Sequence, residues 1–426
     1  MNVLVIGSGG REHAICRSFR KSPKVERLFC ANGNAGIAQI AECVNIMPDD
    51  VKSLADFAAS NAVGLTFVGG EISLALGIVD EFKRRGLRIL GPNREAAQLE
   101  SSKSFAKDFM ARHGVPTAKY VTAHSPGFAV LELESGDFGD ESTPVVVKAD
   151  GLAAGKGVVV AKNRADAIAA INEMTDLVGT AAADKIVLEE CLIGREVSLL
   201  AFADGQDFAL MPPTRDHKRI GDGDTGPNTG GMGAITDASL LTDEQIKEIT
   251  ETVIRPTLHG CVKEGFPFRG VLFVGLMVTA DGARVLEYNV RFGDPETQAI
   301  LVRLETDLVD ICEAMLSGNL ADLEIKWQPG GSACIVLASE GYPGKPRTGD
   351  AISGLADVAG IDGVEIFHGG TASDAATATG HLVTAGGRVL GITATGDDLA
   401  SALSLAYSAV EKINWSGMQY RKDIGR

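Results

Sequence analysis

Along the first ninety residues, apolar runs at 3–6, 28–31, 65–68 and 88–90 alternate with longer stretches at 12–20, 53–60 and 74–85. In the longer stretches apolar positions recur every three to four residues, the period of a helix that buries one face. The short runs are apolar throughout, as strands covered on both sides are. Together they predict a parallel α/β layer closing at Gly91-Pro92. A helix is expected over 102–112, with Phe105, Phe109 and Met110 on its apolar side, Gly114 as its cap and Pro116 barring continuation. From 117 to about 325 the pattern predicts mainly strands, with hairpins among them. Residues 327–331 read as a linker. Strands at 333–338, 364–368 and 389–394 and one amphipathic helix over 397–413 are expected after it.

One segment follows neither period. Residues 216–233 read Asp-His-Lys-Arg-Ile-Gly-Asp-Gly-Asp-Thr-Gly-Pro-Asn-Thr-Gly-Gly-Met-Gly, with six glycines in 18 residues and only Ile220 and Met232 large and apolar. Such a loop has no face to bury, and ordering glycine costs more backbone entropy than ordering any other residue. A bound phosphate or carboxylate is expected to hold it, met by backbone N–H groups and by Lys218 and Arg219.

A chain of 426 residues exceeds one hydrophobic core and predicts roughly two to four domains. The formal net charge of −16 argues against a general binder of nucleic acids or membrane surfaces, so anionic ligands must be met by local basic islands or a metal. The seven cysteines are scattered and contain no Cys-x-x-Cys pair, which points to a reducing compartment and away from structural zinc. With no signal peptide and no apolar run of spanning length, a cytoplasmic protein is expected.

Four groups of residues carry chemistry. In the hairpin joined by Asp281-Gly282, the second strand is expected to place Leu286, Tyr288 and Val290 on one face and Glu287, Asn289 and Arg291 on the other. A carboxylate and a carboxamide oxygen two residues apart suit magnesium, which completes its shell with water or phosphate. The two acids of the following Phe-Gly-Asp-Pro-Glu turn, Asp294 and Glu296, strengthen that reading over a merely solvated strand face. Next, Lys148 ends an apolar strand and is followed by the small-residue loop 149–157, which carries Lys156 and reads as a lid over polyphosphate. It is no Walker loop: Gly151 and Gly155 stand one residue too close, and Gly157 replaces the hydroxyl residue. Third, the strand at 186–188 runs into Glu189 and Glu190, offering backbone groups to an adenine edge, with Glu196 near enough to take ribose hydroxyls. Fourth, Gly7-Ser8-Gly9-Gly10 and the loop Gly33-Asn34-Ala35-Gly36 each follow a strand, as phosphate-binding loops do. A nicotinamide fingerprint is spoiled by Glu12 and by Asn32, so a phosphorylated sugar is expected there.

Taken together, Gly-Ser-Gly-Gly-Arg-Glu-His at 7–13, Lys-Ala-Asp-Gly-Leu-Ala-Ala-Gly-Lys-Gly at 148–157, Asp-His-Lys-Arg at 216–219, Thr-Gly-Pro-Asn-Thr-Gly-Gly-Met-Gly at 225–233 and Arg-Phe-Gly-Asp-Pro-Glu-Thr-Gln at 291–298 resemble the phosphoribosylamine–glycine ligase family. The resemblance spans essentially the whole chain. It implies an ATP-grasp fold: an N-terminal parallel α/β, Rossmann-like substrate domain over 1–100, an ATP-grasp domain over 101–326 with a mobile subdomain at about 122–190, and a C-terminal mixed β domain over 331–426. It implies ATP as co-substrate, Mg2+ or Mn2+, and the joining of glycine to 5-phosphoribosylamine. These small molecules would be its only partners, with no nucleic acid and no membrane, and the chain a monomer. On the same basis Lys103, Lys148, Gly151, Gly155, Lys156 and Gly157 would hold ATP phosphates, and Glu189, Glu190, Leu192 and Glu196 the adenosine. Glu287 and Asn289 would hold metal. Gly7, Gly9, Gly10, Gly33, Asn34 and Gly36 would face the phosphoribosyl group. Asp216, His217, Asn228, Thr229, Gly230, Gly231, Arg291 and Asp294 would bind substrate, and Arg291, Lys218 and Lys148 would act in catalysis.

The family has proline where this chain has Asn32 and Gly70, glutamine at Arg215, and Tyr-Ser at Ile235-Thr236, departures that lie on the substrate side. Two rival readings are another ATP-grasp ligase with a different acid or amine, and a nucleotide-binding sensor without turnover. The glycine-rich 225–233 segment and the N-terminal phosphate loops favour the family's own substrates over the first. Lys148, Glu287, Asn289 and Arg291 together exceed what a sensor needs.

Overall fold

The apolar runs of the first ninety residues are strands of one parallel sheet in this computed structural model, which describes residues 1–152, 157–178, 185–374 and 381–426, and the backbone alone at 175–178. In space the order is Glu42–Val44, Arg27–Asn32, Asn2–Gly7, Val63–Val68, Ile89–Leu90. The order reverses between Asn2–Gly7 and Val63–Val68, which opens a crevice at the carboxyl ends of these two strands. Two expectations need correction. Glu42–Val44 shows no apolar run because it is an edge strand with exposed Glu42 and Cys43. The helix expected over 74–85 is two helices, Glu71–Ala75 and Ile78–Arg84, divided by Gly77 at φ +84°, a conformation open to glycine.

The helix after this sheet, Lys103–His113, begins where Ser102 Oγ accepts the Phe105 amide at 3.1 Å and ends at left-handed Gly114. Beyond it lie two short strand pairs, Arg219–Gly221 with Thr225–Asn228 and Thr371–Ser373 with Leu382–Thr384, and two larger antiparallel sheets. The smaller runs Tyr120–Ala123, Ile186–Glu190, Val145–Ala149, Val158–Ala161, and the helices Pro126–Glu134 and Arg164–Val178 pack on it. It has its own core, including Leu133, Val147, Ile171, Met174 and Leu188.

The larger sheet runs Gly282–Asn289, Arg269–Thr279, Arg195–Asp204, Thr214–Asp216, Gly233–Thr236, Gly331–Ala338, Arg388–Gly396, Val364–His368. Its adjacent strands are antiparallel throughout. Gly233–Thr236 pairs directly with Gly331–Ala338, so the sheet continues across the expected linker. The stretch 117–325 is also richer in helix than expected, with Arg255–Lys263, Glu296–Leu301 and Leu308–Ser317 among its helices.

The Asp281-Gly282 hairpin forms as expected, but its register shifts between Gly275 and Leu276, whose partners are Glu287 and Val285. Leu286 is the extra residue of a bulge, which resets the alternation. Ala283 and Val285 are buried before it, and Tyr288 and Val290 after it. Glu287, Asn289 and Arg291 still share a face, while the Leu286 carbonyl is left outside the ladder.

Candidate active site

One side of the site is organised by a buried carboxylate. Glu189, near the end of Ile186–Glu190, is 1% exposed and lies between two buried lysines. Lys148 Nζ is 2.7 Å from its Oε1 and Lys107 Nζ 2.8 Å from its Oε2. A charge taken out of water in this way must be paired and hydrogen-bonded. Lys148 also donates to the Leu286 carbonyl at 3.0 Å, so the bulge gives the small sheet a fixed point on the large one. Lys107 donates to Thr117 Oγ1 at 2.7 Å, and burial brings its ammonium down to about 8 against the attraction of Glu189. Glu189 therefore touches the lysines rather than open cleft, and Lys107 is a member of the site that its place on a helix concealed.

The lid's first residues are tied to the helix Lys103–His113. The Asp150 carboxylate accepts from the Ser104 amide at 3.0 Å and from the Ser104 hydroxyl at 2.8 Å, and Ser102 Oγ donates to it at 3.0 Å. Lys103 Nζ reaches the Gly151 carbonyl at 3.2 Å, and burial lowers its ammonium below the usual lysine range. Gly157 is buried and gives its carbonyl to the Ala149 amide; Gly155 and Lys156 lie outside the described residues. Glu190 Oε1 accepts the Lys119 amide at 2.7 Å. Past it the strand ends at half-buried Leu192 and the outward-facing Ile193.

Across from this sheet, Lys218 Nζ stands 3.4 Å from Glu196 Oε2 and 3.9 Å from Glu287 Oε1. Asp216, burial notwithstanding, raises the Lys218 ammonium well above its usual range. Burial pushes the Glu287 carboxyl up, but Lys218, Lys148, Lys103 and Arg291 outweigh it and hold Glu287 below the usual range. A carboxylate kept ionised in this way, beside the Asn289 amide, suits a hard divalent cation that shares its shell with phosphate oxygens. Among the described residues no three His, Cys, Asp or Glu side chains gather as a metal cage, so the donor set fits a cation that arrives with a polyphosphate. Arg291 is heavily engaged. Nη2 reaches Glu100 Oε1 at 2.6 Å and Asn289 Oδ1 at 3.1 Å, Nε reaches Glu71 Oε2 at 3.2 Å, and Nη1 reaches the Phe292 carbonyl at 3.1 Å. A substrate anion would meet the one N–H left on Nη1 rather than an open fork.

Next to this region is a cavity of about 470 Å3. Ser8, Gly9 and Gly10 of the first loop line it, with Asn228, Thr229 and Gly230 of the glycine-rich loop, and Asp294 and Gln298. Tyr342 and Arg388 from the last quarter of the chain complete it. Arg388 donates to the Asp294 carbonyl at 2.7 Å and pairs with its carboxylate at 3.0 Å, while Tyr342 OH accepts the Gly230 amide at 3.0 Å. Sequence reasoning missed Gln298, Tyr342 and Arg388. Gly386-Gly387-Arg388 is a small-residue loop with a basic residue, as Gly9-Gly10-Arg11 is, but it leads into a strand where the other opens a helix, and nothing local ties it to the site.

The Gly7–Gly10 loop is not the open cradle expected. The Gly9 amide donates to Glu12 Oε2 at 2.6 Å, and a Cβ at Gly7 or Gly69 would lie 2.5 or 2.3 Å from the Glu12 side chain. The helix Gly10–Lys21 thus meets its own carboxylate at its positive end, fixed by Arg11 Nε at 2.6 Å. Asn34 Nδ2 spans the Ser8 and His368 carbonyls, at 2.7 Å each. Gly33 and Gly36 are needed for close approach: a Cβ would come within 2.3 Å of Cys43 Sγ and 2.2 Å of the His368 ring. Gly231, at φ +108°, packs on Pro295. His217, unlike Lys218, turns towards residues 421–426, with Nε2 3.1 Å from the Gly425 amide.

Comparison with known proteins agrees with this geometry. Residues 1–100, 101–297 and 332–426 match the N, ATP-grasp (A) and C domains of phosphoribosylglycinamide synthetase. The phosphoribosylamine–glycine ligase of Pseudomonas aeruginosa is 49% identical over 433 residues, covering 100% of this chain and 97% of that protein. That of Caldanaerobacter subterraneus is 43% identical, covering 100% and 99%. The crystal structure of the Thermotoga maritima ligase superimposes with a TM-score of 0.84 at 33% identity, over 99% of this chain and 100% of that one. A biotin carboxylase–ATP-analogue complex from Campylobacter jejuni shares the fold at 16% identity and TM-score 0.73, over 98% and 93% of the two chains. The chain belongs to the phosphoribosylglycinamide synthetase family of ATP-grasp ligases.

Proposed function

We propose that this chain joins glycine to 5-phosphoribosylamine at the expense of ATP, giving glycinamide ribonucleotide, ADP and phosphate in purine biosynthesis. The observation that carries the reading is the adjacency of two compartments on one loop. Lys218 stands beside Glu287, and the amide and hydroxyl of Thr229, which lines the cavity, both donate to the Lys218 carbonyl at 2.8 Å. An acyl phosphate formed by Lys218 is then within reach of an amine in the cavity.

A carboxylate is a poor electrophile, so the amide needs an activated intermediate. A glycine oxygen attacks the γ-phosphorus of ATP, the bond to ADP breaks, and glycyl phosphate forms. The amine of phosphoribosylamine then attacks the carbonyl carbon, phosphate leaves and the nitrogen loses a proton. Such chemistry asks for positioning and charge neutralisation rather than a protein nucleophile. Lys103, Lys148, Gly151, Gly155, Lys156 and Gly157 hold the phosphates, with Glu189 and Lys107 fixing Lys148. Glu190, Leu192 and Glu196 take the adenosine. Glu287 and Asn289 hold a divalent cation, magnesium or manganese, that neutralises phosphate oxygens. Asp216, Lys218, Asn228, Thr229, Gly230, Gly231, Arg291 and Asp294 surround glycine and the acyl group, and Gly7–Gly10 and Gly33–Gly36 face the phosphoribosyl group. The units at 1–100, 101–326 and 331–426 supply the phosphoribosyl side, the nucleotide side and the outer wall. Among the described residues no helix is long and apolar enough to cross a membrane, and we place the chain in the cytoplasm as a monomer.

The test is ADP release with ATP and magnesium, adding glycine and phosphoribosylamine singly and together and recording product mass. The reading requires ADP formation that depends on both, with glycinamide ribonucleotide as product. ADP release indifferent to glycine would sink it.

A further inference from the structure

Within the 216–231 loop Arg219–Gly221 pairs with Thr225–Asn228, and Tyr342 and Arg388 hold Gly230; residues 421–426 tie the outer part of the loop to the fold. Arg421 is 1% exposed, and its guanidinium is enclosed by acceptors. Nη1 donates to Asp224 Oδ1 at 2.6 Å and to the Arg219 carbonyl at 3.2 Å, while Nε and Nη2 fork onto Asp423 at 2.7 and 2.8 Å. Asp423 in turn accepts the Gly223 amide at 2.8 Å, and the Lys422 amide donates to Asp222 at 2.8 Å. The segment itself is fixed by the Tyr407 hydroxyl, which donates to the Arg421 carbonyl at 2.9 Å and accepts the Ile424 amide at 3.1 Å.

Side chains around strand Thr214–Asp216 divide by alternation. Arg215 donates to the Arg426 carbonyl at 3.0 Å, and His217 Nε2 accepts the Gly425 amide. Asp216 and Lys218 face Glu196 and Glu287 instead. Burial, with Arg215 and Arg421 near, brings His217 down to about 4, so its ring is neutral and Nε2 can accept at ordinary pH.

We propose that residues 421–426 are a positioning element of the reaction, with Arg421 as its central side chain. They hold the 216–231 loop so that Lys218 stands beside Glu287 while Thr229 and Gly230 wall the cavity, and so set the affinity for the amino-acid carboxylate. Arg421 is a positioning residue: it does not line the cavity and acts through the loop. The inference rests on the assignment of that loop to glycine.

Two measurements on Arg421→Gln test it. In the unliganded protein, amide hydrogen exchange over 217–231 should rise by about tenfold or more, because the variant leaves Asp224, Asp423 and the Arg219 carbonyl without their shared donor. In turnover, KM for glycine should rise by about tenfold while KM for ATP stays within about twofold. Unchanged exchange, or equal rises in both KM values, would overturn the proposal. If Arg421→Gln does not fold, Asp224→Asn decides, since Asp224 is 71% exposed and the change takes away only the charge of its ion pair with Arg421. A glycine KM raised by about threefold with ATP unaffected supports the proposal, and an unchanged glycine KM overturns it. Absence of glycine-dependent turnover in the wild-type protein would instead reject the functional reading, and the exchange result alone would then decide the anchor.

Discussion

At Glu189 one buried carboxylate grips two lysines and fixes the nucleotide side from within. Across the cleft, the 216–231 loop is held mainly by hydrogen bonds, among its own short strands and to Arg421 and Asp423. Strand Val145–Ala149 carries its chemistry on a hydrophobic element, so its position follows from packing. Residues 216–231 hold five glycines where packing residues would be, and hydrogen bonds within the loop and to distant segments replace the missing core. An element that must approach a small substrate closely gives up side chains for backbone, and stability must then come from elsewhere in the fold.

The largest effect should come from breaking the buried side. Glu189→Ala leaves two lysines uncompensated and should cost about 3–5 kcal/mol, read by urea unfolding. A loss under about 1 kcal/mol would show that water already reaches the lysines. Glu287→Ala should lower turnover by about a hundred- to a thousandfold with the unfolding midpoint unchanged, since the side chain is partly exposed and serves ligands rather than the core. Full activity at ordinary magnesium would remove the metal assignment.

Acid should act on the acceptor side first. His13 is brought down to about 3 and His217 and His368 to about 4, each mainly by burial. Between those values and the ordinary 6.5, the unfolded chain carries three protons that the folded one refuses. Glu296, raised to about 8 by burial and then by Asp216, holds one proton in the opposite sense. With three groups that take up a proton on unfolding against one that releases it, stability is expected to fall as pH drops from about 6.5 to 4.5. Glycine KM should rise before ATP KM only as pH nears 4 and His217 protonates, and a flat urea-unfolding profile from 6.5 to 4.5 would contradict the buried neutral rings. The smallest effect is expected at Gly36→Ala, whose Cβ must displace the His368 ring at about 1–3 kcal/mol. A neutral thermal shift there would mean that the contact is slack.

Much of the nucleotide side was legible because strand and loop chemistry coincide in the sequence. The apolar strand ending at Lys148 and the Glu287–Asn289–Arg291 face stand where alternation puts them. The bulge at Leu286 escaped, since one unpaired residue leaves no periodic trace. Helix Leu308–Ser317 did leave one: Leu308, Ile311, Cys312 and Met315 have helical spacing, yet their short apolar clusters read as strands. Helix Glu296–Leu301 is buried on every side, Thr297 and Gln298 included, so it shows no amphipathic pattern at all. Tyr342 and Arg388 could not be placed from sequence, because they reach the cavity only through a sheet that joins Gly233–Thr236 to Gly331–Ala338. The order of the glycine-rich loop was expected from a bound anion. In the structure Arg421, invisible to any local pattern, contributes to it through Asp224 and the Arg219 carbonyl.

The unbroken antiparallel sheet has a mechanical consequence. Arg388 and the strand Gly233–Thr236, which follows the 228–230 wall, belong to one hydrogen-bonded plate, so these two sides of the cavity are tied together through its ladder. The four-stranded sheet, with a separate core, meets that plate at a few polar points such as Lys148 on the Leu286 carbonyl. Relative motion is therefore expected between the small sheet and the plate rather than within the plate.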